Sequence, residues 1–189
     1  MSFIFPTIQF LLQSRARICS FLRKIWRGIW VPAYLSTVVF PLQSYAQVAT
    51  AIIPDATLPT NSSVTQIAET FHVTDGTSVG SNLFHSFDTF HVGTEDTANF
   101  VNPGGIDNIL SRVTGGAVSN IFGTLQSESS ANVFFLNPSG VVFGPTAQLN
   151  VNGSFHVSTA DSINLGEGLG AGIFSATDLV SDILTVAPP

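Results

Sequence analysis

Residues 134–165 read FFLNPSGVVFGPTAQLNVNGSFHVSTADSINL, a stretch in which short apolar runs alternate with Asn, Gly and Ser, and Asp161 is the only charged residue. Leu149 and Val151 fall on one face of an extended strand and Asn150 falls on the other, because successive side chains of a strand alternate. Strong turn formers separate the runs: NPSG at 137, GP at 144 and NG at 152. The pattern predicts short β-strands joined by tight turns.

The same organisation extends over most of the chain and favours a β-solenoid, in which each coil stacks on the previous one. Stacking places equivalent side chains about 4.8 Å apart, so stacked charges repel, whereas Asn bonds to Asn and Phe packs on Phe. Sixteen Phe and a charged fraction of 10% fit this architecture. A β-sandwich is the alternative fold. The predicted strand segments are 68–73, 82–92, 99–101, 109–113, 117–126, 131–136, 141–143, 148–151, 154–157 and 162–165.

Charge and hydropathy divide the chain near its N-terminus. Five of the six Lys and Arg residues fall within the first 27 positions, and all twelve Asp and Glu residues follow from Asp55 onward. An apolar run, IWVPAYLSTVVFPL (29–42), precedes Ser44-Tyr45-Ala46, which has the small residues of a signal-peptidase cleavage site. This order predicts an extended secretory signal peptide over 1–46, handled by the general export machinery and cut by signal peptidase between Ala46 and Gln47. A retained N-terminal membrane anchor is the alternative.

After cleavage, residues 47–63 are expected to form an extended leader or first strand, and 64–189 a β-helical domain that is truncated at its C-terminus. This mature part keeps one basic residue, Arg112, against twelve acidic residues. Nucleic acid is therefore excluded as a partner, because phosphate binding needs Lys and Arg. The only cysteine, Cys19, lies in the predicted signal, which excludes disulfides and thiolate chemistry from the mature part.

Candidate chemical groups are few, and we predict no catalytic, cofactor or metal site. Glu95 and Asp96 form the only adjacent acidic pair, which is weak support for a polysaccharide-cleaving β-helix enzyme. Arg112 is expected to pair with a nearby carboxylate, or alternatively to contact a partner. The histidines show no metal-binding spacing. A pH-sensitive segment is expected around His85 and His91. The four histidines are His72, His85, His91 and His156.

Three runs carry a resemblance to a known family: GSNLFHSFDTFHVG (80–93), NPGGIDNILSRVTGG (102–116) and ANVFFLNPSGVVFGPTAQLNVNGSFHVSTADSI (131–163). They closely resemble the N-terminal secretion domain of filamentous haemagglutinin-like proteins, the exported partners of two-partner secretion systems. The LFHSF and RVTGG forms resemble cyanobacterial members. The resemblance covers roughly residues 51–187 and implies a right-handed parallel β-helix, passage through the Gram-negative periplasm, recognition there by an outer-membrane β-barrel transporter, and a final location outside the cell or on its surface.

The signature asparagine–proline turn of this family matches Asn137, Pro138, Ser139 and Gly140, although the family often has Asn where this chain has Ser139. Whether the transporter recognises this turn, or the turn is only a corner of the helix, stays open. The expected function is a secretion-signal domain that nucleates β-helix folding outside the cell, and the transporter is expected to add a strand to an unpaired edge. A stand-alone adhesin that binds glycan or cells, and a polysaccharide-active enzyme, are the alternatives.

Overall fold

A computed structural model describes residues 48–166 and 172–178 of the chain. The predicted signal peptide and its cleavage site between Ala46 and Gln47 lie outside these ranges. Within them, no helix is long and apolar enough to cross a membrane, and all regular structure is β. The strands are β1 (Ala51–Pro54), β2 (Ser62–Ile67), β3 (Thr70–Asp75), β4 (Thr77–Val79), β5 (Asn82–His91), β6 (Thr97–Phe100), β7 (Asn108–Val113), β8 (Ser119–Ile121), β9 (Thr124–Ser127), β10 (Asn132–Leu136), β11 (Val141–Phe143), β12 (Gln148–Val151), β13 (Phe155–Ser158), β14 (Ser162–Asn164) and β15 (Ile173–Ser175).

The strands stack as successive coils of a parallel β-helix. One sheet has the order β1-β5-β7-β10-β13, in which β5, β7, β10 and β13 are parallel. A second sheet has the order β12-β9-β6-β3-β2, and β8 pairs in parallel with β11. Leu83, Ile109, Val133 and Phe155 are register partners in consecutive strands, so equivalent positions stack along the axis. The predicted parallel β-helix is confirmed, and the β-sandwich alternative is wrong.

Aromatic rings fill the interior of the helix. The Phe90 ring lies parallel to that of Phe100 with centroids 6.0 Å apart, and it meets the edge of Phe135 at 4.9 Å. Phe87 packs against Phe90 at 5.1 Å, and all four side chains are buried. Burying a Phe side chain contributes roughly 1.5–3 kcal/mol. The stacked Phe predicted from composition is therefore a main part of the core.

A second apolar cluster lies on the outer face of the first sheet. Phe84 and Leu110, which alternate with inward-facing neighbours, pack there against Leu165 and Phe174. These two partners belong to a hairpin in which β14 pairs antiparallel with β15. The sequence predicts a strand at 162–165 correctly, but this strand covers the flank of the solenoid instead of continuing its coils, because alternating apolar residues mark a buried face without saying which side buries it.

Several strand boundaries differ from those predicted. The segment 117–126 divides into β8 and β9 at Gly123, where a Cβ atom would come within 2.2 Å of two backbone oxygens. Strands β2 (SSVTQI) and β4 (TSV) were not predicted, because they are rich in Ser and Thr and lack an apolar run. Strand β1 and the start of β2 occupy the predicted leader 47–63.

Candidate functional site

The NPSG turn connects β10 to β11, and the side chain of Asn137 is 0% exposed. Asn137 Nδ2 donates to the carbonyl oxygen of Ala117 and to Ser119 Oγ, both at 2.9 Å. Its Oδ1 accepts from the backbone N–H of Ser139 at 2.9 Å. Both the nitrogen and the oxygen of the Asn137 amide are therefore hydrogen-bonded, and the bonds from its nitrogen join the turn to the preceding coil.

The exposed part of the turn is the corner itself. Gly140 has φ +114°, a conformation that favours glycine, and its N–H donates to the carbonyl of Asn137 at 3.0 Å. Pro138 is half-buried and Ser139 is exposed. A partner protein can therefore contact the surface of Pro138 and Ser139, but the buried amide of Asn137 is out of its reach.

We expect Asn137→Ala to lower the free energy of unfolding by about 3 kcal/mol, because it removes three hydrogen bonds and leaves buried groups unsatisfied. Urea denaturation, monitored by far-ultraviolet circular dichroism, measures this loss. Ser139→Ala is the matched control within the same turn, and its urea midpoint of unfolding should equal that of the wild-type chain. Equal midpoints for the two variants would contradict the role given to the Asn137 amide.

Arg112 is the one Lys or Arg within the described ranges, and its side chain is 0% exposed. Its Nε donates to Ser86 Oγ at 2.8 Å and its Nη2 to Thr57 Oγ1 at 3.0 Å. Nη1 donates to the carbonyl of Ser175, and the guanidinium carbon lies 4.7 Å from the ring centroid of Phe174, a cation–π contact. Because it is buried, Arg112 does not present its charge to a partner.

Asp55 supplies the carboxylate of the same group of residues. It accepts hydrogen bonds from Thr57 Oγ1 (2.6 Å), Ser86 Oγ (2.7 Å) and Thr114 Oγ1 (2.6 Å). Burial raises the pKa of Asp55, but hydrogen bonds from Thr114, Thr57 and Ser86 outweigh burial and hold the pKa below its usual value. The Ser86 and Thr57 hydroxyls thus bridge the Asp55 carboxylate to Arg112. We refer to Asp55, Thr57, Ser86, Arg112 and Ser175 as the Arg112 network.

Sequence reasoning identified Arg112 and expected a carboxylate near it, but it did not identify Asp55, Thr57 or Ser86. These residues come from the N-terminal segment and from β5, and the hairpin contributes Ser175. Ordinary Ser, Thr and Asp residues in distant segments carry no local signal of their proximity. The network ties these three parts of the structure together.

His85 lies inside the helix with a side chain that is 0% exposed. Its Nδ1 is 2.9 Å from Ser62 Oγ, and within the described part of the chain its Nε2 has no hydrogen-bond partner. The ring packs between Phe87 and Phe100. Burial lowers the pKa of His85 to about 4, because the apolar surroundings disfavour the charged imidazolium.

This shift predicts a loss of stability in mild acid. The folded-state pKa of His85 is about 4 against an ordinary 6.5, so above pH 6.5 the imidazole is neutral in both states. As the pH falls from 6.5 to 4, the His85 imidazole is protonated in the unfolded chain but stays largely neutral in the folded chain. This difference lowers the free energy of unfolding by roughly 3 kcal/mol in total. Urea titrations between pH 7 and 4.5 measure the slope. His85→Leu should flatten it, and an unchanged slope would contradict the assignment.

Each of the other three histidines contacts a different residue. His91 Nδ1 accepts from the backbone N–H of Asn120 at 3.2 Å. His72 lies 3.4 Å from the Asn99 amide, and His156 stacks on Phe134. Across residues 48–166 and 172–178, no three His, Cys, Asp or Glu residues come together as a metal site would require.

The acidic pair of the enzyme alternative lies in the turn between β5 and β6. Glu95 is exposed. The carboxylate of Asp96 accepts a hydrogen bond from Thr50 Oγ1, and the same hydroxyl oxygen accepts from the N–H of Gly93 at 2.7 Å. Asp96 therefore fastens the N-terminal segment to this turn, which is a structural use of the carboxylate.

Comparison with known proteins gives one finding. The family model described as the TPS secretion domain, the domain of two-partner secretion, matches residues 50–186. This range contains all of the described coils, the NPSG turn and the Arg112 network. No curated protein and no solved structure matches the chain.

Proposed function

The chain belongs to the TPS secretion domain family, and from that premise we propose that its β-helix is recognised by an outer-membrane β-barrel transporter and nucleates folding of the exported protein outside the cell. Family membership makes the chain part of a secreted two-partner exoprotein that crosses the outer membrane with a partner transporter. The family is one of secretion domains and not of enzymes. The match over the whole solenoid carries the proposal.

The proposed route begins with the signal peptide 1–46, which directs the chain to the general export machinery. Signal peptidase cuts between Ala46 and Gln47, and the mature chain, with its leader 47–63 and its domain 64–189, enters the periplasm. The three sequence runs that resemble filamentous haemagglutinin support an exoprotein of the haemagglutinin or adhesin type from a Gram-negative cyanobacterium. The product is then secreted or held at the cell surface.

Transporter recognition is supported by two exposed features. One is the Pro138–Ser139 corner of the NPSG turn. The other is β2, which is the outermost strand of its sheet and pairs with β3 on one side. At its end Ile67 is 63% exposed. An edge strand offers unpaired backbone groups to which another protein can add a strand.

Nucleation is supported by the way the coils contact one another. Parallel ladders join β7 to β5 and β10 to β7, so each of these strands offers the next one a row of backbone hydrogen-bonding partners. In such repeat architectures stability is a sum over neighbouring coils, and folding propagates from any coil that has formed. A folded secretion domain would therefore serve as the template on which later-emerging coils of the exported protein stack.

The test is secretion of residues 1–189 from a Gram-negative host with and without the partner transporter. Transporter-dependent release of a chain that starts at Gln47 is the expected result, measured by immunoblotting and N-terminal sequencing of the medium. Processed chain that remains in the periplasm even with the transporter would contradict sufficiency of the domain as an export signal.

Two matched substitutions test which strand edge the transporter reads. Ile67→Lys alters the exposed end of β2, and Leu149→Lys alters β12, the opposite end of the same sheet, where Leu149 is 53% exposed. Recognition through β2 predicts that Ile67→Lys reduces secretion severalfold while Leu149→Lys does not. The reverse order would move the recognition edge to β12, and no effect of either substitution would exclude strand addition at both ends.

A further inference from the structure

Two strands at the N-terminal end of the solenoid, β2 and β4, bury little of their surface, and we call them the cap strands. Strand β2 pairs antiparallel with β3, and β4 pairs antiparallel with β5. In β2 only Ser62 is buried, and β4 has no buried residue, whereas five of the six residues of β7 are buried. Val64 and Val79 are half-buried and pack on the apolar clusters. Strands with so few buried contacts open at a low cost in free energy, so each interior contact of the cap strands matters.

The His85 side chain contacts both cap strands from inside the solenoid. Its Nδ1 lies 2.9 Å from the hydroxyl oxygen of Ser62, the buried residue of β2. The corner that leads from β3 into β4 contains Gly76, where an added Cβ would lie 3.0 Å from the same Nδ1. One nitrogen of one buried ring therefore faces β2 and the start of β4 together.

The other nitrogen of the His85 ring lies in apolar surroundings. Its Nε2 makes no hydrogen bond within the described residues, and the ring centroid lies 6.2 Å from that of Phe87 and 6.0 Å from that of Phe100. Ser111, the register partner of His85 in β7, has a buried hydroxyl that also lacks a partner in this part of the chain. A protonated ring would bury a positive charge and a second N–H donor without an acceptor, which is costly.

The strands that pack around His85 offer no countercharge to a proton on its ring. Strands β2, β4 and β6 contain no titratable side chain. The other titratable residues of β3, β5 and β7 are His72, Asp75, Asp88, His91 and Arg112. Asp75 and Asp88 are exposed, and the remaining three bond to residues other than His85. Protonation of the closed structure is therefore unfavourable from every side.

We propose that His85 makes the cap acid-sensitive: protonation of its ring in mild acid detaches β2 and β4, while the coils built on β7 and β10 stay folded. Opening the cap brings the ring to water, where its pKa returns to 6.5 from about 4 in the closed structure. Between these two values the open form binds a proton that the closed form does not, so a falling pH favours opening. Detachment of β4 also frees the edge of β5 at Asn82–Phe84 for pairing with another strand. This local opening is independent of the proposed secretion function.

Amide hydrogen exchange of the full chain at pH 7.5 and pH 5.0 tests the proposal. Protection factors are compared, because they remove the pH dependence of the exchange chemistry itself. Those of β2 and β4 should fall roughly 20-fold at the lower pH, as a pKa that rises from about 4 to 6.5 on opening requires. At both pH values they should stay well below those of β10. Cap protection that does not change with pH, or that equals the protection of β10, would overturn the proposal.

Two histidine variants in the same strand assign the effect to one ring. His85→Gln keeps a hydrogen-bonding group for Ser62 but takes up no proton, so the fall in cap protection with acid should disappear. His91→Gln is the matched control, because His91 bonds to the backbone of Asn120 at the other end of β5, and it should keep the fall. The same result in both variants, or the reverse, would overturn the assignment.

A third variant covers the case in which His85→Gln does not fold. Ser62→Ala removes the hydrogen bond between β2 and the His85 ring, and it should lower cap protection several-fold at pH 7.5 while β10 exchanges as in the wild-type chain. An equal loss of protection in β2 and β10, or no loss in either, would show that this contact does not hold the cap.

Discussion

Arg112→Ala is expected to lower the free energy of unfolding by about 4 kcal/mol, in the range found when one partner of a buried charged pair is removed. The substitution leaves the Ser175 carbonyl and the hydroxyls of Ser86 and Thr57 without their cationic donor. It also removes the compensating charge from the surroundings of Asp55, and it opens space beneath Phe174. Urea unfolding at pH 7 measures the loss.

Two further substitutions separate charge from packing. Arg112→Lys keeps the positive charge but lacks the planar fork that reaches three acceptors, so we expect an intermediate loss. Asp55→Asn keeps hydrogen-bonding atoms and removes the negative charge, and combined with Arg112→Met it should destabilise less than the sum of the single changes. Additive losses, or an Arg112→Ala variant within 1 kcal/mol or so of wild type, would show that the network contributes little to stability.

Gly123→Ala is expected to destabilise the domain by about 3 kcal/mol, the upper end of the usual cost of overpacking, because the atoms that an added Cβ would meet are backbone oxygens. A Cβ atom here would lie 2.2 Å from the backbone oxygens of Asp96 and Gly93. The Thr124 N–H bonds to the carbonyl of Asp96 at 2.9 Å, and the Gln148 N–H bonds to the carbonyl of Gly123 at 3.0 Å. Moving the corner to relieve the clash would therefore disturb bonds to the coils on both sides.

Gly104→Ala is the control for this substitution. Gly104 has φ +104° and nothing within 4 Å of an added Cβ, so its cost is backbone strain alone, on the order of 1–3 kcal/mol. Thermal unfolding of both variants, with expression yield of folded protein as a second readout, compares the two costs. A Gly123→Ala variant as stable as Gly104→Ala would mean that the coils tolerate separation at this corner.

The coil strands were largely predictable from sequence, because alternating side chains and Gly or Asn corners mark them locally. The bounds predicted for β11 and β12 agree with the structure. The hairpin was not predictable as a flank element, since the Ile163 segment shows the same alternation as an inner strand. Strand β4 was missed because its pairing with β5 depends on the neighbouring chain more than on the side chains of TSV.

The candidate site was predictable in position but not in orientation. The NPSG motif located the turn, whereas only the structure shows that Asn137 is buried and Ser139 exposed. The segment around His85 was expected to carry any pH sensitivity, and the burial that lowers its pKa is a tertiary property. Arg112 stood out as a lone cation, but its hydroxyl partners have no distinguishing sequence.

Arg112 bonds to Thr57, 55 residues away, and to Ser175, 63 residues away in the other direction. By contrast, the side-chain hydrogen bonds from Asn132 to Asn108 and from Asn108 to Asn82 join residues 24 and 26 apart. Short loops close sooner than long ones. A chain that leaves a pore one end first can stack coils as they emerge, but it can complete the Arg112 network only when both of its distant segments are outside. The order is the same whichever end leads. On the proposed export route, sliding back after that point would require breaking the hydrogen bonds of a buried charge.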